Sequence, residues 1–348
     1  MAATKKIRVL IVDDSLVFRE VILRGLSSDP GIQVVATAVD PFDASDKILQ
    51  YKPDVMTCDV EMPRMNGIEF IRRLLPQYVL PIVVVSSVSE AVFDAMKAGA
   101  VDFVTKPDVS SVRSVEGFIH ELIRTIKIAS QAKVLGTEIM HDDRMISGKV
   151  AEAKDSGRII AIGASTGGTE AIYRVLKALP AEMPGIVIVQ HIPPLFSRMF
   201  AERLDQSVSL AVKEAEHGDR LEPGRVLIAP GDRHIRVKKI GDYYKVECFE
   251  GDKVNGHCPS ADVLFESVAK EAGNRAIGVI LTGMGYDGAK GLLAMRRRGA
   301  RTIGQDEKSA VVYGMPKVAY EIGAVEKQTG LSEIPHALLS ILAKDSPG

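Results

Sequence analysis

The amino-terminal part of the chain alternates short apolar runs with stretches in which apolar residues recur at helical spacing. We interpret each apolar run as a buried strand and each periodic stretch as a helix. Strands that alternate with helices pair in parallel, and the helices then cover both faces of the sheet. The pattern therefore predicts an α/β fold with a doubly wound, five-stranded parallel sheet. The predicted strands are residues 7–12, 34–38, 55–58, 82–85 and 103–105.

Polar residues follow these strands at the points where the strands end. Asp13, Asp14 and Asp59 are acidic, while Ser86 and Lys106 supply a hydroxyl and an ammonium group. Ligands of doubly wound sheets bind at the carboxyl ends of the strands. Oxygen ligands of this kind suit Mg²⁺, and a carboxylate beside the ion can attack a phosphoryl group whose oxygens Lys106 and Ser86 contact. Taken alone, each of these residues is best interpreted as a solvated group at a strand end. The five matching positions together predict a phosphoryl-transfer site.

A glycine-rich turn opens the second half of the chain, in the segment IIAIGASTGGTEA that begins at residue 159. The segment predicts a strand, a tight turn and a helix, with Ser165 in the turn. From the residues alone three interpretations stay open. Ser165 is a nucleophile raised beyond the end of the sheet, or the N-cap of the following helix, or part of a phosphate-binding turn. The turn lacks a P-loop lysine, which is a point against the phosphate-binding interpretation.

Two further apolar runs end in polar residues, VIVQHIPP with His191 and VILTGMGYDG with Asp287. If the sheet is parallel, His191 lies beside Ser165, where a general base is needed, and Asp287 can orient the imidazole. The alternatives are a structural histidine and an aspartate that caps a helix. The glycines around Asp287 leave backbone N–H groups accessible for an oxyanion hole.

Composition excludes several classes of protein. The 348 residues include 44 basic and 45 acidic side chains, so the chain lacks the excess charge with which proteins bind nucleic acid. Three cysteines without CxxC spacing argue against a disulfide framework or a zinc site and are typical of a reducing cytoplasm. No signal peptide or membrane-spanning run is present in the sequence. We therefore expect a cytoplasmic protein without nucleic-acid binding or direct membrane insertion.

Residues 5 to 125 resemble a two-component receiver domain in the polar residues at their strand ends. The resemblance makes Asp59 the phospho-acceptor and assigns the phosphate contact to Lys106. It makes Ser86 the switch hydroxyl and Phe103 the aromatic switch residue. It also implies a Mg²⁺ site, in which Glu61 contributes its backbone carbonyl. The implied metal ligands are Asp13, Asp14, Asp59 and Glu61.

Nearly all of residues 157 to 335 resemble the catalytic domain of the chemotaxis-type protein-glutamate methylesterases. The resemblance is carried by IGASTGG, VQHIPP and LTGMGYDGAKGL in this order, together with PSADVLFESVA and IGQDEKSAVVYGMP. It implies that Ser165 is the nucleophile, His191 the base and Asp287 the acid that orients it. The backbone N–H of Met284 is then an oxyanion donor. Cys258 departs from the family pattern, in which an arginine is expected just before Pro-Ser.

The two resemblances predict three segments, a receiver domain (1–125), a linker (126–156) and a methylesterase catalytic domain (157–348). For the last segment we expect a doubly wound, mostly parallel α/β fold. The period-two pattern of residues 208–249 predicts an antiparallel hairpin flank to that sheet.

The implied function is that of a phosphorylation-activated serine hydrolase in chemotactic adaptation. It demethylates glutamate methyl esters on the cytoplasmic domains of chemoreceptors and deamidates selected glutamines. A chemotaxis histidine kinase is the expected phosphodonor, with Mg²⁺ for receiver phosphorylation and no cofactor for ester hydrolysis, and we expect a monomer. The alternative is a non-enzymatic response regulator whose carboxyl-terminal domain is a partner-binding module.

Overall fold

The computed structural model describes residues 5–87, 89–107, 112–134 and 157–344. The chain divides into two compact units, residues 1–141 and 142–348. From residue 135 onward, the predicted linker lies outside the described residues. The predicted domain boundaries at residues 125 and 157 therefore stay predictions. None of the described helices has the length and apolar composition needed to cross a lipid bilayer.

The first unit is a five-stranded sheet with the order β2-β1-β3-β4-β5, and all of its neighbouring strands are parallel. The strands are β1 (Ile7–Val12), β2 (Ile32–Ala38), β3 (Val55–Asp59), β4 (Ile82–Ser86) and β5 (Asp102–Thr105). The helices are α1 (Leu16–Ser27), α2 (Pro41–Tyr51), α3 (Gly67–Leu74), α4 (Ser89–Lys97) and α5 (Val112–Ala129). The predicted doubly wound parallel sheet is confirmed.

Short polar side chains end the connections that follow β1, β2 and β3. Ser15 caps α1, Asp40 caps α2 and Asn66 caps α3, each by accepting hydrogen bonds from backbone N–H groups in the first turn. Because α1 starts directly after Ser15, Asp13 and Asp14 lie in the short connection at the carboxyl edge of the sheet. Local capping thus positions the acidic pair.

The second unit contains a seven-stranded parallel sheet with the order β14-β13-β12-β6-β7-β9-β8 and a separate antiparallel pair, β10 and β11. Its strands are β6 (Ile159–Ala164), β7 (Gly185–Gln190), β8 (Ala211–Glu214), β9 (Arg225–Ile228), β10 (His234–Ile240), β11 (Tyr243–Phe249), β12 (Ala276–Ile280), β13 (Arg301–Gln305) and β14 (Lys327–Thr329). Its helices are α6 (Gly168–Lys177), α7 (Phe196–Asp205), α8 (Ala261–Glu271), α9 (Ala289–Arg297), α10 (Met315–Glu321) and α11 (Ile334–Lys344).

The mostly parallel sheet and the antiparallel hairpin are confirmed, but the hairpin is smaller than the period-two pattern indicated. Only β10 and β11 form it, whereas β9 pairs in parallel with both β7 and β8. Val226, Leu227 and Ile228 of β9 are all fully buried. Burial of consecutive residues is typical of a parallel strand that is covered on both faces. The assignment of this strand to an antiparallel hairpin, which rested on a period-two pattern, was therefore wrong.

The three central strands bring the predicted catalytic residues to one edge. Gly163 of β6 pairs with Val189 of β7 on one side and with Ile280 of β12 on the other. Ser165 and His191 each follow the end of their strand by one residue, and Asp287 lies in the turn after β12. Parallel register thus places three distant parts of the sequence side by side.

Candidate active site

Strands β6 and β7 hold Ser165 and His191 through their backbones. Ala164 pairs with Gln190 in the parallel register, so Ser165 and His191 are the next residues on neighbouring strands. The backbone N–H of His191 donates to the carbonyl of Ala164 at 3.0 Å, and that of Ser165 donates to the carbonyl of Thr282 at 3.0 Å. Ser165 is therefore fixed from both sides at the edge of the sheet.

The turn after β6 excludes the helix-cap interpretation of Ser165. Helix α6 begins at Gly168 and has Gly167 as its N-cap, with no side-chain hydrogen bond to the cap. Gly167 has a φ of +75°, which favours glycine, and a Cβ at this position would lie 2.8 Å from Val311. The Ser165 hydroxyl is thus not used to cap the helix.

The same glycines do not form an open cradle for phosphate. A Cβ on Gly163 would lie 2.9 Å from the Ala261 side chain, and a Cβ on Gly168 would lie 2.1 Å from Gln190 Oε1. The absence of side chains at these positions allows the protein to pack closely around the turn. This packing removes the third interpretation of the segment.

Asp287 is a buried carboxylate, 1% exposed, that binds His191. Its Oδ2 lies 2.9 Å from His191 Nε2. Oδ1 accepts a hydrogen bond from Ser260 Oγ at 2.7 Å, and Oδ2 accepts one from the backbone N–H of Ala261 at 2.6 Å. Ser260 and Ala261 form the amino-terminal end of α8, where the helix dipole also favours negative charge.

These contacts determine the charge of Asp287. Burial by itself raises the pKa of this carboxyl, but the hydrogen bond and positive charge of His191 lower it, as do the donors of Asn255 and Ser260. The net result is a pKa well below the ordinary aspartate value. Asp287 does not cap its own helix, since α9 begins after Gly288 without a side-chain cap. It is an ionised partner for His191.

The Nδ1 atom of His191 is available to accept a proton. Nδ1 is buried and has no hydrogen-bond partner, whereas Nε2 contacts Asp287. The ring stacks on His257, with centroids 3.7 Å apart and planes inclined by 8°. Within the described residues, no hydrogen bond joins the Ser165 hydroxyl to His191; such bonds often form only when substrate binds.

The turn after β12 lies against Ser165. A Cβ on Gly283 would be 2.6 Å from Ser165 Cβ, so only glycine allows this approach. The Gly283 carbonyl accepts hydrogen bonds from the N–H groups of Gly314 and Met315, at 3.1 and 2.7 Å. These bonds fix the turn that contains Met284, whose backbone N–H is the predicted oxyanion donor.

Asn255 is a site residue that the sequence reasoning missed. Its side-chain Nδ2 donates to Asp287 Oδ1 at 2.8 Å and to Asp262 Oδ2 at 2.7 Å. Asn255 and Gly256 both have positive φ and form a tight turn closed by the pair Val254 and His257. The Asn-Gly pair is the sequence signal for such a hairpin turn.

The hairpin turn also carries the residue that departs from the family pattern. Cys258 is half-buried, follows His257 directly and is joined to Pro259 by a cis peptide bond. Burial raises the pKa of its thiol. Cys258 is therefore adjacent in sequence to His257, the residue whose ring stacks on His191.

The acidic cluster predicted in the first unit is present. Carboxylate oxygens of Asp13, Asp14 and Asp59 lie within 4.8 Å of one another. Hard oxygen donors at this spacing fit a Mg²⁺ ion. Lys106 Nζ lies 2.6 Å from Asp59 Oδ2 and 2.8 Å from Asp13 Oδ2. The cluster combines a candidate metal site with a cation that can contact a phosphoryl group.

Burial and the contacts with Lys106 act in opposite directions on the charges in this cluster. Burial raises the pKa of Asp59 above the ordinary value, although the hydrogen bond and charge of Lys106 oppose the shift. Burial lowers the pKa of Lys106, but hydrogen bonds to Asp13 and Asp59 outweigh this effect and raise it. Lys106 therefore remains a cation at neutral pH.

The other predicted receiver residues lie on β4, on β5 and in the loop after β3. Ser86 ends β4 and is buried, in the strand that pairs with β3 and β5. Phe103 is in β5 with its ring buried. The backbone N–H of Glu61 donates to Asp59 Oδ1 at 3.3 Å, so the loop that carries the predicted carbonyl ligand folds back on Asp59.

Family models match both units. Residues 160–338 match a model described as CheB methylesterase, and residues 9–114 match one described as response regulator receiver domain. The chain belongs to the CheB methylesterase family. The resemblance drawn from the sequence motifs is thereby confirmed.

Individual relatives extend over nearly the whole chain. The protein-glutamate methylesterase/protein-glutamine glutaminase 2 of Syntrophomonas wolfei is 60% identical over 338 residues, which cover 97% of this chain and 98% of that protein. Its counterpart from Salmonella typhimurium is 45% identical over 339 residues, with coverages of 96% and 97%. The crystal structure of the Thermotoga maritima CheB methylesterase catalytic domain is 39% identical, has a TM-score of 0.52 and covers 53% of this chain and 98% of that one.

Proposed function

We propose that this protein is a phosphorylation-controlled hydrolase that demethylates glutamate methyl esters on chemoreceptors and deamidates selected glutamines. The observation that carries the proposal is the buried hydrogen bond between His191 and Asp287, located beside Ser165 at the carboxyl edge of the sheet. The relatives named as methylesterases and glutaminases support the choice of substrate. A purely partner-binding module is not favoured, because it requires no such arrangement.

In the first half of the reaction, the Ser165 hydroxyl attacks the side-chain acyl carbon of the substrate. His191 takes the serine proton on Nδ1, the nitrogen without a partner, while Asp287 stabilises the resulting imidazolium through Nε2. The carbonyl oxygen becomes an oxyanion, to which the backbone N–H of Met284 donates. Collapse of this intermediate expels methanol, or ammonia from a glutamine, with the proton returned by His191.

The second half of the reaction frees the enzyme. Water attacks the acyl-serine, and His191 removes a proton from the water as the new tetrahedral intermediate forms. Breakdown of this intermediate releases the glutamate carboxyl and returns a proton to Ser165. Methyl ester and water are thus converted to carboxylate, methanol and a proton, and the residues named above suffice for each step.

The receiver unit controls the rate through Asp59. A histidine kinase of the chemotaxis system is the phosphodonor, and Asp59 attacks its phosphoryl group. Lys106 and the hydroxyl of Ser86 contact the transferred phosphoryl oxygens, and Phe103 is the aromatic switch residue. Asp13, Asp14, Asp59 and the backbone carbonyl of Glu61 would hold a Mg²⁺ ion, which would neutralise charge on the phosphoryl group when bound. Phosphorylation alters the rate because it favours one of two receiver states.

The enzyme is a monomer that acts in the cytoplasm, where the signalling domains of chemoreceptors lie. Methylated receptor membranes are the test substrate, and released methanol is measured with and without a phosphodonor. The wild-type protein is expected to release methanol, and Ser165→Ala is expected to release none although it folds. Methanol release by folded Ser165→Ala at more than a few per cent of the wild-type rate would exclude Ser165 as the nucleophile.

A further inference from the structure

A buried amide connects the two strands that carry the nucleophile and the base. Gln190 is the last residue of β7 and is 4% exposed. Its Nε2 donates to the backbone carbonyl of Ser165 at 2.9 Å and to that of His191 at 3.0 Å. One side-chain group therefore binds the main chain of both residues on which the proposed chemistry depends.

The amide is held in this orientation from its other side. Gly168 lies against it, since a Cβ on Gly168 would be 2.1 Å from Gln190 Oε1. Oε1 is buried and accepts no hydrogen bond. A buried acceptor without a partner is unfavourable, so an apolar residue would be the better choice if only packing mattered. The glutamine is explained instead by the two bonds that its nitrogen makes.

The first bond fixes a peptide plane as well as a distance. The Ser165 carbonyl accepts hydrogen bonds from Gln190 Nε2 and from the backbone N–H of Gly168, the latter at 2.7 Å. In a trans peptide the carbonyl and the following N–H point in opposite directions. Holding the Ser165 carbonyl therefore sets the direction of the Thr166 N–H. When a serine nucleophile lies in a strand-to-helix turn, the N–H after it is a donor to the oxyanion.

We infer that Gln190 is a positioning residue for the ester hydrolysis, an inference that rests on the proposed function. It sets the spacing between Ser165 and His191 and the orientation of the peptide after Ser165, without touching the substrate. Its loss lowers the rate of the chemical step, because displacement of reacting groups by about 1 Å costs on the order of 100-fold in rate. Substrate binding is left largely unchanged.

The test compares Gln190→Met and Gln190→Glu with the wild-type full-length protein. Methionine preserves the length of the side chain but donates no hydrogen bond, and glutamate preserves its shape but presents oxygens to the two carbonyls. Thr302→Val is the matched control. Thr302 is equally buried and accepts a hydrogen bond from the Glu326 N–H, but it lies near the opposite end of the parallel sheet, in the first half of β13.

Two readouts are measured for each variant, in protein shown by circular dichroism to be folded. The first is methanol release from methylated receptor membranes, which gives kcat and KM separately. The second is the rate at which a fluorophosphonate labels Ser165, which requires activation by His191 but no receptor. If the wild-type protein is labelled at Ser165 but releases no methanol, the proposed substrate is wrong, and the labelling rates alone decide the role of Gln190.

Both Gln190 variants are expected to lose about 30- to 100-fold in kcat and in labelling rate, with KM within threefold of wild type. Thr302→Val is expected to stay within twofold in both readouts. The inference is overturned if a folded Gln190 variant keeps kcat or the labelling rate within threefold of wild type. It is also overturned if Thr302→Val loses as much as the Gln190 variants, because the effect would then follow from general destabilisation.

Discussion

Asn255 offers a demanding test of the electrostatics around the candidate triad. Its Nδ2 is shared between Asp287 and Asp262, whose carboxylates are 1% and 4% exposed. Asn255→Ala removes both hydrogen bonds and leaves two buried acidic groups without the donor that lies between them. The same substitution does not remove any of the three residues proposed to carry out catalysis.

The size of the effect follows from these two contacts. Hydrogen bonds to charged groups contribute about 1.5–3 kcal/mol each, so two of them give an upper range of about 3–6 kcal/mol. Asp287 keeps the donors of Ser260 and Ala261, and Asp262 keeps that of the Gly291 N–H. We therefore expect the lower end, a loss of about 3 kcal/mol in unfolding free energy near neutral pH.

The loss is expected to depend on pH in a defined direction. Burial raises the pKa of Asp262, and the charge of Asp287 adds to this shift. The folded protein thus keeps a proton on Asp262 at pH values where the unfolded chain has lost it, so this group's contribution to stability falls as pH rises above the ordinary aspartate range. Removing the Asn255 donor raises that pKa further. The difference in unfolding free energy between wild type and variant therefore widens as pH rises above the ordinary aspartate range.

Hydrogen exchange followed by mass spectrometry measures this difference for the second unit alone. Peptides from β6 and β12 report the unfolding free energy of the core strands. Asn274→Ala is the control, because Asn274 is an exposed asparagine of the same unit and its loss is expected to change stability by less than about 0.5 kcal/mol. A loss below about 1 kcal/mol for Asn255→Ala, or a difference that narrows toward pH 8, would refute the reasoning.

Three further substitutions test other parts of the account. Asp287→Asn is expected to lower kcat by about 10³- to 10⁴-fold, because an amide cannot stabilise the imidazolium of His191; methanol release within tenfold of wild type would contradict this. Asp59→Asn is expected to abolish stimulation by acetyl phosphate and to keep the unstimulated rate, and stimulation that persists would exclude Asp59 as the acceptor. Gly283→Ala introduces a Cβ 2.6 Å from Ser165 Cβ and 2.5 Å from Met315 Sδ. It should cost about 1–3 kcal/mol in stability, measured by thermal unfolding, and at least about tenfold in kcat; a variant as stable and active as wild type would show that this close contact is unimportant.

Much of the fold follows from local sequence signals. Alternation of apolar runs with helical stretches indicated parallel sheets in both units, because each strand of such a sheet is buried on both faces. The exceptions are β8 and β9, two short parallel strands that period-two reasoning assigned to a hairpin, although Val226, Leu227 and Ile228 of β9 are all buried. A run of this length carries too little periodicity to separate the two cases.

The candidate site was predictable where strand ends determine it. Ser165, His191 and Asp287 were expected at one edge from the parallel register, and the structure brings them there. Their catalytic roles stay predictions. The supporting contacts were not predictable. The hydrogen bond from Asn255 to Asp287 joins residues that are 32 positions apart in sequence, and it depends on where the turn that carries Asn255 lies in the fold. The hydrogen bonds of Gln190 were also missed, because they depend on the orientation of its side chain between two neighbouring strands.

The central claim is that Ser165 forms a covalent acyl intermediate with the receptor glutamate. The direct measurement is an acid-quenched reaction of the wild-type protein with a methylated receptor peptide, followed by mass spectrometry of the digested enzyme. A peptide adduct is expected on the fragment that contains Ser165, formed within the first turnover and lost as the peptide carboxylate is released. Methanol release without any adduct, or an adduct on another residue, would contradict it.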